Sequence, residues 1–154
     1  MSLNEKALER ARITNNCQEI IKLVDEGADD LESIAISAAL NPNGIEIVKY
    51  LVEEKCIKNL NEVAYSAALN DNGNDIVLYL IEKGANNFSE IAIAETMNSN
   101  GHDIVKLCIQ HGVNNIDQIA YNSAINKNYD VLKLALESGA SNGDLIKEKF
   151  KINI

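Results

Sequence analysis

The chain has no tryptophan, one proline, and only two histidines, two phenylalanines and three cysteines in 154 residues. A single proline leaves most of the chain free to be helical, since proline removes an amide donor and clashes inside a helix. Three cysteines cannot pair completely, so a disulfide framework is not expected and a reducing compartment is. No apolar run approaches the roughly 20 residues that cross a bilayer. The amino-terminal MSLNEKALERARI carries charges throughout in place of an apolar signal segment. These absences lead us to expect a soluble, cytoplasmic protein. Excess positive charge is missing too: the formal charge is −9, whereas a phosphate backbone is normally met by a clustered basic footprint. Lys147, Glu148, Lys149 and Lys151 form only a short tail of mixed sign. Neither a nucleic acid nor a membrane is expected as partner.

Catalytic signatures are also missing, with no glycine-rich phosphate loop, no G-x-S-x-G and no H-E-x-x-H. The two histidines, His102 and His111, stand at opposite ends of one predicted helix. At the helical rise they are about 13 Å apart, too far to share a metal bound at about 2 Å. We expect no enzyme, no metal and no cofactor.

What is present is a unit of about 28 residues repeated four times, beginning at Leu31, Leu60, Phe88 and Ile116. A period in this range signals a repeat architecture, in which each unit buries its apolar face against its neighbours. In the unit from Leu60, Val63, Ala64, Ala67, Ala68 and Leu69 mark one apolar stripe, Asn70-Asp71-Asn72-Gly73 interrupts it, and Ile76, Val77, Leu80 and Ile81 mark a second. Each unit therefore reads as helix, turn, helix. With the composition 46% apolar, the whole chain 1–154 reads as one domain. Its units are 3–30, 31–59, 60–87, 88–115 and 116–142, and a capping helix lies within 143–154. The terminal units carry the charges that solubilise the ends of a stack: Glu5, Lys6, Glu9, Arg10 and Arg12 at one end, Lys147, Glu148 and Lys149 at the other.

The unit boundaries have their own chemistry. Glu32, Asn61, Ser89, Asp117 and Asp144 precede the predicted first helices, and all but the glutamate are strong N-cap types. Leu31, Leu60, Phe88 and Ile116 would then staple to Ile36, Tyr65, Ile93 and Tyr121. Every second helix opens on an acid, Glu46, Asp75, Asp103 or Asp130, where the helix dipole favours negative charge. Gly27, Gly84, Gly112 and Gly139 stand where a left-handed residue closes a helix. Lys55 breaks that column, with a spacer one residue longer, and a rearranged turn is expected there. The asparagine pairs Asn41/Asn43, Asn70/Asn72, Asn98/Asn100 and Asn126/Asn128 fall at the inter-helix turn, where asparagine tolerates left-handed geometry and bonds its own backbone.

Cys56 aligns with Ala28, Ala85, Val113 and Ala140, and Cys108 with Leu51, Leu80 and Ala135, so both read as small core residues. Cys17 reads as a free thiol without special role. The outer acids Glu53, Glu82 and Glu137 read as a solvated face, and Leu78 stands as an apolar spot among Lys49, Lys106 and Lys133.

The segments DIVLYLIEKGANN and DIVKLCIQHGVNN, with the turn Asn100-Gly101-His102, resemble the ankyrin repeat over Ile20 to about Asn142. The resemblance implies an all-α, ankyrin-like solenoid of stacked antiparallel helix pairs with short loops, a concave recognition surface and no catalysis. Two departures stand out. Ser89-Glu90-Ile91-Ala92 occupies the place of the family's threonine-proline-leucine-histidine start, and only Ala85-Asn86-Asn87-Phe88 links one unit to the next. That link is too short for a protruding β-hairpin, so the chain is similar to the short, hairpin-poor ankyrin-like repeats of large DNA viruses and some protists. On that resemblance, the compartment for a viral or parasite protein is the host-cell cytosol.

A non-catalytic scaffold for protein–protein interaction is the leading expectation. Its acidity favours a monomer that binds another protein bearing a basic or apolar surface. A structural, self-assembling repeat protein, or a fragment of a larger multidomain one, is the alternative. If recognition follows the family, it uses the first helices, at columns that change chemistry between units: Ser37, Ser66, Ala94 and Asn122, and Ala38, Ala67, Glu95 and Ser123. Glu95 and Asn122 are the foremost of these. Close helix packing is the competing explanation for such small residues.

Overall fold

A computed structural model describes residues 1–153. Among them are eleven α-helices and no strand, in two compact units divided after Asn86. The first unit holds α1 (Leu3–Ile13), α2 (Cys17–Asp25), α3 (Leu31–Ala39), α4 (Ile45–Glu53), α5 (Leu60–Ala68) and α6 (Asn74–Glu82). Within it α1, α3 and α5 pack side by side, α2, α4 and α6 form a second row, and each helix packs on its sequence partner. The second unit holds α7 (Phe88–Glu95), α8 (His102–Gln110), α9 (Ile116–Ile125), α10 (Tyr129–Glu137) and α11 (Gly143–Phe150). There α7 packs on α8 and α9, α9 on α10 and α11, and α8 on α10. The division falls within one residue of the repeat boundary at Phe88.

Side-chain size explains the two rows. Each middle first helix buries one large residue, Ile34, Val63, Ile91 or Ile119, and otherwise fills its core mostly with alanines such as Ala35, Ala38, Ala39, Ala64 and Ala92. Small side chains let backbones approach at the short end of the usual 8–10 Å. The second helices bury larger sets, Ile47, Val48 and Leu51 in α4 and Ile76, Val77 and Leu80 in α6. The tight turn from α5 to α6 requires glycine for its own reason: a Cβ on Gly73 would run into the Ala67 carbonyl oxygen.

The helix ends depart from expectation in register. The N-caps are Asp30, Asn59, Asn87, Asn115 and Asn142, two residues before the polar residues expected to cap, so Leu31, Leu60, Phe88 and Ile116 are the first helical residues. No staple geometry results. Asp30 and Asn59 accept from the amides of Ser33 and Glu62 at 3.4 Å. Two of the residues expected to cap, Asn61 and Asp117, instead bind the exit of their own unit, as Asn4 does in the amino-terminal one. Asn4 Oδ1 accepts from the Asp29 amide at 2.8 Å, Asn61 Oδ1 from Asn86 at 2.9 Å and Asp117 from Ser141. Three hairpins are thereby closed by one side chain. In the unit from Leu31 Glu32 Oε1 accepts from the Lys58 amide at 3.4 Å, and in the unit from Phe88 Asn115 Nδ2 donates to the Ser89 backbone carbonyl at 3.3 Å.

The closing glycines are left-handed as expected, with Gly84 at φ +112° and the Ala85 amide donating to Leu80 O at 2.8 Å. In the unit with the longer spacer Cys56 takes that role at φ +55°. Its side chain is exposed, and Ile57, 6% exposed, enters the core in its place. The extra residue shifts the alignment by one, which corrects the expected core position of Cys56. Cys108 is fully buried, and burial pushes its thiol up to about 12.

The turn asparagines are not left-handed. Among the described residues the non-glycine positive φ values belong to Cys56, Lys127 and Lys151. The asparagines bridge instead: Asn41, 2% exposed, donates to the carbonyls of Ala11 at 3.0 Å and Thr14 at 2.6 Å while accepting from the Asn43 amide. Asn70 donates to Ala39 O, and Asn128 to Thr96 O and Asn98 O. A buried carbonyl at the end of one first helix is thus satisfied by the turn of the next unit, as buried polar groups require.

Candidate interaction surface

The residues expected to meet a partner are mostly inside. Ala38, Ala67, Glu95 and Ser123 have no exposure, Ala94 has 1% and Ser66 8%. Ser123 Oγ donates to Ile119 O at 2.7 Å, and Glu95 Oε2 accepts from Asn98 Nδ2 at 3.0 Å. Only Ser37 and Asn122 are half-buried, the latter accepting from Gln118 Nε2 at 2.9 Å. Variation between units at these columns follows helix packing, and six of these eight residues do not lie on the exposed side of their helices.

The exposed side of the first helices carries a different column. Nine positions after Leu31, Leu60, Phe88 and Ile116 stand Leu40, Leu69, Met97 and Ile125, apolar every time. Leu40 is half-buried, and the other three are 41%, 53% and 51% exposed. One helical turn earlier, at the i−4 spacing that shares a face, stand Ile36, Tyr65, Ile93 and Tyr121. Of these Tyr65 is 40% exposed and the rest half-buried. Leu69, read from periodicity as core, is therefore surface. The available signal was that the column stays apolar in the four repeats from Leu31 onward although it lies at the end of the helix.

Charge sorts the helices as well. No lysine or arginine occurs in α3, α5, α7 or α9, and Glu62 and Glu90 stand exposed three residues before Tyr65 and Ile93. The second helices of the first unit are instead tied together by charge. Lys83 Nζ lies 3.0 Å from Glu53 Oε1, the Tyr79 hydroxyl donates to the same oxygen at 3.0 Å, and Lys55 reaches Asp25 at 4.0 Å. The bonds from Lys83 and then Tyr79 hold the Glu53 carboxyl below its ordinary range, while burial and the Glu53 bond push the Tyr79 phenol up to about 12. Leu78 is 41% exposed on this face.

In the second unit Tyr121 is covered from α11. Lys149 Nζ bonds the tyrosine hydroxyl and sits 4.9 Å from the ring centroid, and the Phe150 ring meets it edge-on at 5.7 Å. At the two ends of α8, Phe88 stacks on His111 at 4.1 Å and His102 Nδ1 lies 3.1 Å from Asp103. No group of three histidine, cysteine or acidic side chains that could hold a metal ion occurs among the described residues, nor any helix long and apolar enough to cross a membrane.

No protein-family model matches the chain, and searches of curated proteins and of solved structures found no match.

Proposed function

We propose that this chain is a non-catalytic protein-interaction scaffold whose helix pairs stack in the manner of short ankyrin-type repeats, with the partner bound on the exposed side of the first helices. The observation that carries the reading is the apolar position at the end of the first helices, Leu69 in the first unit and Met97 and Ile125 in the second, each open to solvent beside a helix that holds no basic residue. Recurrent exposed apolar side chains mark interaction surfaces more reliably than scattered ones. The three free cysteines, Cys17, Cys56 and Cys108, support a cytosolic setting. The test is a photo-crosslinking amino acid placed singly at Leu69, Met97 or Glu82 in the native host. Adducts from Leu69 and Met97 with none from Glu82 support the reading; adducts from Glu82 alone contradict it.

A further inference from the structure

We infer that the first-unit stripe formed by Ile36, Leu40, Tyr65 and Leu69 receives a basic amphipathic helix of another protein, a proposal that rests on the scaffold reading and names its partner. Three observations converge. The first is the chemistry of the stripe: apolar residues lie one turn apart on α3 and α5, neither helix carries a lysine or arginine, and Glu62 stands exposed one turn before Tyr65. Within a chain of net charge −9, such a surface attracts positive charge by long-range steering and rewards apolar contact at short range.

The second observation is spacing. Neighbouring packed helices lie about 8–10 Å apart, and α3 packs directly on α5. Residues seven apart on a partner helix are separated by about 10.5 Å, so one apolar residue meets the α3 pair while the next meets the α5 pair. This is helix-in-groove recognition, read as anchors at i, i+3 or i+4, and i+7. Arg12, at the stripe's position on α1, places a positive charge beyond α3 and so limits how far a basic helix extends in that direction.

The third observation is an internal example. In the second unit the column-mate of Tyr65 is Tyr121, and it is covered by a lysine and an aromatic ring from α11, Lys149 and Phe150. Tyr65 is 40% exposed. The partner helix supplies at Tyr65 what α11 supplies at Tyr121, a cation over the ring face and an apolar edge beside it.

The probes are three 14-residue peptides titrated against the full chain by fluorescence anisotropy. One has leucines at i, i+3, i+4 and i+7 with lysine elsewhere, one has glutamate in place of lysine, and one scrambles the leucine/lysine order. The expected result is that the ordered leucine/lysine peptide binds at least tenfold tighter than the other two. Tyr65→Ala or Leu69→Ala should weaken it at least tenfold with an unchanged circular dichroism melt, while Tyr121→Ala and Glu82→Ala change it less than twofold. Equal binding of the scrambled peptide overturns the helix, and equal binding of the glutamate peptide overturns the basic partner. An anisotropy loss in Tyr121→Ala but not Tyr65→Ala overturns the location. If all three peptides fail while crosslinks from Leu69 form in the host, this proposal falls and the scaffold reading stands. If those crosslinks are also missing, both fall.

Discussion

The first and second helices of each repeat are of similar length and equally helical, yet they are built for opposite surroundings. The first helices fill their core side with alanine and leave Tyr65, Leu69, Met97 and Ile125 open to solvent without a basic residue nearby in the helix. The second helices bury Ile47, Val48 and Leu51 or Ile76, Val77 and Leu80, and in the first unit bind one another through Glu53, Tyr79 and Lys83 on the outside. A surface whose charges are already paired within the fold has little to offer a partner, because exposed pairs contribute little and are screened. Apolar side chains left half open gain on binding what burial gains in folding. On the proposed scaffold reading, cohesion belongs to the second helices and recognition to the first.

The largest test of that division is in the core. Ile104→Ala, removing a side chain 1% exposed in α8, should lower the unfolding free energy by about 2–5 kcal/mol. Ala64→Gly in α5 should cost only about 1 kcal/mol. Denaturant midpoints that move equally would break the assignment of bulk to the second helices. Next comes the turn: Asn41→Ala leaves the carbonyls of Ala11 and Thr14 without their donor, and should cost about 1–3 kcal/mol. An unchanged midpoint would mean the asparagine bridges do not couple successive units.

Smaller effects sharpen the comparison. Cys56→Gly relieves a left-handed non-glycine residue and should raise stability by about 0.5 kcal/mol, the steric gain being partly offset by added freedom in the unfolded chain. The second-helix ladder predicts a pH dependence on both sides of neutrality. Glu53 is held below its ordinary range by Lys83 and Tyr79, so its contribution is present at neutral pH and is lost as pH falls through the folded-state value. Tyr79 is pushed up to about 12, so its contribution is present below the unfolded value near 10 and is lost as pH rises toward about 12. Ultraviolet titration should show a late tyrosinate transition that disappears in Tyr79→Phe; a late transition unchanged in Tyr79→Phe would remove the ladder.

Much of this was legible from periodicity. The helix pairs, the acids opening the second helices and the left-handed Gly84 column follow from local rules that tertiary contacts do not alter. The misplaced features depend on neighbours. Asn59 and Asn61 are both cap-type residues, and only the closure of Asn61 onto Asn86 shows which of them caps. Cys56 aligned with a core alanine because one inserted residue was placed on the wrong side of it. Glu95, expected on the surface, has no exposure, since an acid in a column of small residues does not by itself reveal which side of the helix is covered. Leu69 continued an apolar stripe in sequence while the helix turned its end outward.

Leu69 and Leu78 supply a matched pair for the central claim, since each is 41% exposed, one at the end of a first helix and the other on a second helix. The measurement is quantitative capture of partner protein from the native host by the wild type, Leu69→Lys and Leu78→Lys, with thermal melts confirming that all three are folded. Loss of capture by Leu69→Lys with retention by Leu78→Lys is the predicted result, and loss by Leu78→Lys with retention by Leu69→Lys would contradict it.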